Sequence, residues 1–177
     1  MSIVFSIIKS HDGFIKADSE AGKGTTFEMY LPAAKNQSIE KDEKQNIVKM
    51  GRGKILLMDD EESVRKATTK IIKYLGYSVN STANGEETIK IYQSELEKGD
   101  PFDAVILDLT IPGGLGGKET VTRLLQIDPD AKVIVSSGYS DDSIMANYTE
   151  FGFIGVIAKP YQIHEMSKIL RDTLNPK

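Results

Sequence analysis

Asp108 closes the apolar run Ala104-Val105-Ile106-Leu107 and leads into Leu109-Thr110-Ile111-Pro112-Gly113-Gly114. A carboxylate at the C-terminal end of a buried strand, opening into a Gly/Pro loop, is placed for chemistry rather than for stability. Three more polar signals follow strand-like runs: Asp59-Asp60 after Ile55-Leu56-Leu57-Met58, Ser137 after Val133-Ile134-Val135, and Lys159-Pro160 after Ile154-Gly155-Val156-Ile157-Ala158. In an open parallel α/β sheet these strand ends converge on one edge, at the crevice where such sheets bind ligands. An acid pair, a lone acid, a hydroxyl and a lysine gathered there suit a Mg2+-assisted phosphate site. The expected phosphate acceptor is Asp108 itself.

The elements that must position these groups follow from hydrophobic periodicity. Strand runs fall at 54–58, 77–81, 103–108, 132–137 and 153–158, with helical patterns between and after them. The first helix carries Val64, Ala67, Ile71 and Leu75 at helical spacing and is closed by Gly76 as its C′ residue. The second starts at Asn84, with Glu87 three residues on, an Asn-led capping box. The third carries Val121, Leu124 and Leu125 and stops near Asp128-Pro129; the fourth opens at Asp141-Asp142-Ser143 and carries Ile144 and Met145. The last places Ile163, Met166, Ile169 and Leu170 on one face. Strands alternating with helices of this length predict a parallel five-stranded sheet covered on both sides.

The chain divides into three zones. Residues 1–34 read as a short helix with the apolar stripe Ile3, Val4, Ile7, Ile8, then a hairpin with strands at 13–17 and 25–31. Such an α-β-β piece is too small to fold well alone and is expected to be the tail of a larger domain. Residues 35–52 are polar and highly charged and read as a linker. Residues 53–177 hold the β-α units.

Composition excludes several functions. The net charge of −4, with no Lys/Arg cluster, argues against a nucleic-acid surface. With 0 cysteines there is no thiol nucleophile, thiolate metal site or disulfide. No apolar run reaches membrane-spanning length and no signal-peptide pattern opens the chain. A cytoplasmic location without direct membrane contact is expected.

Residues 53–177 resemble the receiver domain of two-component response regulators through Met58-Asp59-Asp60-Glu61, Leu107-Asp108-Leu109-Thr110-Ile111-Pro112, Ser137-Gly138-Tyr139-Ser140 and Ala158-Lys159-Pro160-Tyr161. The resemblance implies a flavodoxin-like (βα)5 fold with strand order 2-1-3-4-5. It implies Asp108 as phosphoacceptor, Asp59 and Asp60 as metal acids, Ser137 as switch hydroxyl, Lys159 as the phosphate-pairing lysine and a cis peptide before Pro160. Mg2+ prefers six oxygens. Asp60 and Asp108 would each supply one, the backbone carbonyl of Thr110 a third, and Asp59 would act through water. Ser136 lies one position from Ser137 and on the opposite side of the strand; alignment on Ser-Gly-Tyr favours Ser137. The aromatic switch position common in the family falls on Val156, a departure. Thr110 and Tyr139 fall where the family admits or orients the hydrolytic water, and the bulky Tyr139 is expected to shield the acyl phosphate.

Residues 2–34 are similar to the last elements of a histidine-kinase ATP-binding domain, on Ser2-Ile3-Val4 and Gly22-Lys23-Gly24-Thr25-Thr26-Phe27. Together the pieces resemble the C-terminal end of a hybrid sensor histidine kinase whose parent is ATP-dependent and possibly membrane-anchored. The motifs that hold ATP are missing from this chain. The implied partner is a histidine phosphodonor, in the same parent chain or in a separate phosphotransfer protein. The orphan hairpin invites self-association through residues 1–34. Three competing readings carry less weight. A haloacid-dehalogenase-type phosphatase would also use an Asp nucleophile, but it usually carries a second acid where Thr110 stands, and its acid pair comes late in the chain. The Gly113-Gly114-Leu115-Gly116-Gly117-Lys118 loop has the wrong spacing for a phosphate-binding loop. His11 and His164 lack the helix context of a phosphodonor.

Overall fold

The computed structural model describes residues 3–33, 48–138 and 147–174. Two compact units are present, residues 1–45 and 46–177.

The first unit is a helix, α1 (Ile3–Ser10), and an antiparallel hairpin of β1 (Phe14–Glu20) and β2 (Gly24–Tyr30). The strands run further into the expected loop than periodicity predicts, because Lys23 closes a tight turn. Its N–H donates to the Glu20 carbonyl at 3.0 Å, and Gly22 and Gly24 adopt φ of 80° and 107°. Phe14, Phe27, Met29, Tyr30 and Leu31 are all exposed.

The second unit alternates β3 (Lys54–Met58), α2 (Glu62–Tyr74), β4 (Ser78–Thr82), α3 (Gly85–Glu97), β5 (Ala104–Asp108), α4 (Gly117–Ile127), β6 (Val133–Ser137), a 3-10 turn (Tyr148–Phe151), β7 (Gly155–Ala158) and α5 (Ile163–Leu174). The five strands are parallel in the order β4-β3-β5-β6-β7, which is the predicted 2-1-3-4-5 order. The helix expected at Asp141-Asp142-Ser143 lies outside the described residues.

Alternation along the strands sorts the core into two layers. Leu56, Leu107, Val133 and Val135 pack with Val121, Leu124 and Phe153 on one side. Ile55, Ile106, Ile134 and Ile157 pack with Ile72, Met166 and Leu170 on the other. β5 is buried at every position, as a central strand covered on both faces must be. The helix stripes differ from the expected ones in places. In α2 the buried side chains are Thr68 and Ile72, whereas Ala67 is exposed. Thr68 reads as polar, but its hydroxyl donates to the Val64 carbonyl at 2.8 Å, which frees its methyl for the core. In α5 Met166 and Leu170 are buried with Ser167 and Thr173, while Ile163 is exposed. His164 is half-buried. Asn84 caps α3 by accepting from Glu87 N at 2.9 Å, and the Glu87 carboxylate reaches back to Ala83 N at 3.1 Å, one residue beyond the expected partner. Gly76 adopts φ 93° just past α2, as a C′ glycine should.

Residues 48–51, part of the expected linker, pack on this unit. Val48 lies against the second core layer, the Lys49 carbonyl accepts from Ser167 Oγ at 3.0 Å, and Gly51 N donates to the Leu75 carbonyl at 2.8 Å. Among the described residues no helix is long and apolar enough to cross a membrane.

At the sheet edge away from Asp108, Lys54 lies over the Phe102 ring and bonds Glu95 and Asp100. Hydrogen bonds from Lys54 and Lys98 pull the Glu95 carboxyl down to about 2 from 4.5. A carboxyl that is lowered on folding stabilises the fold fully above its unfolded value and loses that contribution as the pH falls through its folded one. Glu95→Gln should therefore lower the urea midpoint near neutrality, and the gap to wild type should close as the pH is taken from about 4.5 to about 2. Urea titrations across that range check this.

A charged crevice at the sheet edge

Strand order brings the chemistry-bearing ends together. β3 and β5 are neighbours, so Asp59-Asp60 and Asp108 emerge side by side. One carboxylate oxygen from each of Asp59, Asp60 and Asp108 lies within 4.8 Å of the other two. Asp59 is fully buried, Asp108 nearly so, and Asp60 faces solvent. Lys159 follows β7 and reaches across the end of β6. Its ammonium lies 2.7 Å from Asp108 Oδ2 and 2.7 Å from Asp59 Oδ2.

The two lysine contacts are not equivalent. Lys159 donates a hydrogen bond to Asp108 Oδ2, whereas Asp59 Oδ2 has an ion-pair contact at poor donor geometry and no hydrogen-bond partner. Asp59 Oδ1 accepts from Glu61 N at 3.0 Å. Burial raises the Asp108 carboxyl, the bond from Lys159 lowers it, and Asp59 raises it again; the outcome is above the usual aspartate value. Burial lowers the Lys159 ammonium, but its hydrogen bond to Asp108 and its ion-pair contact with Asp59 outweigh that and hold it above the ordinary lysine range. The lysine is therefore a fixed cation between two acids. Three carboxylates face one ammonium, and one buried oxygen has no hydrogen bond. An all-oxygen donor set with that charge excess fits a hard divalent cation.

Close packing keeps the strand ends in place. A Cβ on Gly117 would come 2.7 Å from the Asp108 carbonyl, and one on Gly85 would come 2.1 Å from Thr120 Oγ1. The glycine-rich loop thus lets α4 start directly against β5. Its Lys118 turns away to lie 4.8 Å from the Phe151 ring centre. Thr110 is exposed, and its N–H approaches Asp108 Oδ1 at 3.5 Å. Ser137 is buried at the end of β6, beside Lys159, whose N–H donates to the Ser137 carbonyl at 2.9 Å. Ser136 points to the other layer, where its Oγ lies 2.6 Å from the Tyr161 hydroxyl. Val156 is half-buried against the first core layer. The Lys159–Pro160 peptide is cis. Tyr139 lies outside the described residues.

Two contributors escaped the sequence reading. Arg65 Nη1 donates to the carbonyls of Asp59 at 2.6 Å and Asp60 at 3.1 Å and so fixes the acid pair's backbone. Tyr161 reaches Ser136. Neither spacing nor residue type marks an arginine in the first turns of a helix, whereas an aromatic following Lys-Pro is a legible signal.

Residues 55–171 match the response regulator receiver domain family. The chain belongs to that family. Its relatives include sensor kinase CckA of Brucella abortus (strain 2308), 32% identical over 187 aligned positions that cover 98% of this chain and 19% of that protein. The chain thus spans about a fifth of that kinase's length. Sporulation initiation phosphotransferase F of Bacillus subtilis (strain 168) is 30% identical, covering 68% of this chain and 93% of that one. Among solved structures, a LuxR-family two-component response regulator from Aurantimonas sp. SI85-9A1 is 25% identical with a TM-score of 0.62 over 70% of this chain and 86% of that one. The receiver domain of Pseudomonas aeruginosa sensor histidine kinase PA1611, whose structure carries a magnesium ion in its active-site cleft, shares the fold at 20% identity and a TM-score of 0.61, covering 70% and 98%. The chain therefore carries a receiver domain of two-component phosphorelay signalling, a class that takes phosphoryl groups from histidine phosphotransfer partners and is not a family of turnover enzymes. The phosphatase alternative has no support in these comparisons.

Asp60 contributes the exposed charge of the three-acid cluster. Asp60→Asn should raise the unfolding free energy of the metal-free protein, measured by urea titration, by roughly 0.5 kcal/mol, and the gain should shrink with added salt. Equal midpoints in EDTA at low salt would contradict the like-charge reading.

Proposed function

We propose that this chain accepts a phosphoryl group from a histidine donor onto Asp108, with Mg2+ held by Asp59, Asp60, Asp108 and the Thr110 carbonyl. The observation that carries this reading is the Lys159 ammonium, 2.7 Å from both Asp59 and Asp108. Lys159 engages Oδ2 of Asp108 and leaves Oδ1 with only the long approach from Thr110 N. Oδ1 is the oxygen placed to attack. The phosphorus–oxygen bond to Asp108 forms as the donor's phosphorus–nitrogen bond breaks, and the leaving imidazole keeps the electron pair and takes up a proton. Mg2+, when bound, supplies positive charge beside the phosphoryl oxygens. Lys159 then moves its ion pair from the carboxylate toward the new phosphoryl group, and Ser137 is the hydroxyl placed on β6 to follow it. Val156 in place of an aromatic implies a different relay to the surface. Tyr139 is assigned the shielding of the acyl phosphate.

We assign residues 1–34 to the tail of a histidine-kinase ATP-binding domain, 35–52 to a linker and 53–177 to the receiver of a hybrid sensor kinase. The alignment with the Brucella kinase over 98% of this chain supports that assignment. The exposed apolar side chains of the hairpin support self-association through residues 1–34. The acidic net charge supports a role without nucleic acid, and a cytoplasmic setting follows from the phosphorelay.

Acetyl phosphate with Mg2+ should add one phosphoryl mass to wild type and none to Asp108→Asn. Asp60→Ala should weaken the Mg2+ requirement curve by at least about tenfold. Equal incorporation in wild type and Asp108→Asn would remove Asp108 as acceptor, and an unchanged Mg2+ titration would remove Asp60 from the metal site.

A further inference from the structure

Behind the charged edge lie one buried and one half-buried hydroxyl that the phosphoryl chemistry above does not use. Ser136 Oγ and Tyr161 OH are 2.6 Å apart. Ser136 is fully buried, and the Tyr161 ring packs against the layer built from Ile106, Ile134, Ile157 and Met166. Replacing both partners of such a pair with apolar groups is often neutral for stability, whereas removing one partner strands the other. A polar pair in an apolar layer therefore acts chiefly as a positional constraint.

What it constrains follows from register. Ser136 pairs with Asp108 on one neighbouring strand and with Ile157 on the other. Tyr161 stands two residues past Lys159. The hydroxyl pair thus ties the turn after Lys159 back to β6, the strand that Lys159 must cross to reach Asp108 and Asp59. The Lys159 N–H is already held by the Ser137 carbonyl at 2.9 Å, so two successive β6 residues anchor the segment on both sides of Pro160. A lysine stem is flexible, and an ammonium held at 2.7 Å from two acids needs its backbone fixed. Burial pushes the Tyr161 hydroxyl up to about 12 despite the bond from Ser136 and the nearby Lys159, so the tie stays neutral and intact across the physiological range.

We propose that Tyr161 is a positioning residue. Through its hydrogen bond to Ser136 it anchors the Lys159-Pro160-Tyr161 turn, holds the Lys159 ammonium between Asp59 and Asp108, and so sets the rate of phosphoryl uptake. The proposal rests on the reading of Asp108 as acceptor, so its test carries one readout that does not depend on phosphorylation.

The test uses the full chain as wild type, Tyr161→Phe, Ser136→Ala and the double variant. The first readout is the side-chain 15N NMR signal of the Lys159 ammonium in metal-free, unphosphorylated protein, assigned by its loss in Lys159→Arg. The second is the initial rate of phosphorylation by acetyl phosphate at saturating Mg2+. Each single variant should broaden or lose the ammonium signal and slow uptake by roughly tenfold. The double variant should be no slower than the slower single, because both changes remove one bond. Wild-type signal and rate in Tyr161→Phe would overturn the proposal, even if stability falls, as would multiplicative slowing in the double variant. If Ser136→Ala does not fold, Tyr161→Phe alone decides. If wild type takes up no phosphoryl group at Asp108, the acceptor reading fails while the ammonium signal still decides whether Tyr161 positions Lys159.

Discussion

One ammonium between two buried acids is the interaction on which the rest of the receiver depends. Lys159 leaves β7, and Asp108 and Asp59 leave β5 and β3; β6 lies between. Only a long side chain can span that gap, and only if the end of β6 is low. Ser137, small and buried at the end of β6, leaves that end low, and its carbonyl holds the Lys159 N–H. The sheet order, the small Ser137 and the lysine are therefore one requirement seen three ways.

Electrostatics and packing pull in opposite directions at this edge. Burial penalises the Asp108 carboxylate and the Lys159 ammonium separately, and each relieves the other. A buried charge pair adds little to stability unless its geometry is good, and breaking one is costly. Here an excess of negative charge remains, with Asp59 Oδ2 lacking a hydrogen bond. The edge is left short of positive charge, which is the state a cation site requires. Rigid packing bears that cost: Arg65 grips the carbonyls of Asp59 and Asp60, and Gly117 lets α4 press on the Asp108 carbonyl.

The sheet and the site were largely legible in the chain because both are written in strong, local patterns. Apolar runs ending in Asp59-Asp60, Asp108, Ser137 and Lys159 located four of the strand ends, and the alternation of strands with helices implied a parallel sheet, while the 2-1-3-4-5 order came from the family resemblance. What was not legible depended on long-range hydrogen bonding. Ala67 looked like core and Thr68 did not, because a threonine's back-bond to a carbonyl cannot be read from hydropathy. Residues 48–51 looked like linker because they follow a long polar and charged run, yet they are pinned through the Lys49 carbonyl and Gly51 N–H, main-chain groups that sequence does not mark. Arg65 was invisible for the same reason: its partners are backbone carbonyls. Ser136 and Ser137 were distinguishable in advance only by alternation and alignment, and the structure sends Ser136 to Tyr161 in the opposite layer.

The account stands on Asp108 being the atom-level acceptor. Borohydride reduces an acyl phosphate to an alcohol, so reduction of the phosphorylated chain followed by peptide sequencing marks the modified carboxylate directly. The account predicts homoserine at position 108 and aspartate at positions 59 and 60. Homoserine at 59 or 60, or a phosphoryl group carried on His11 or His164, would contradict it.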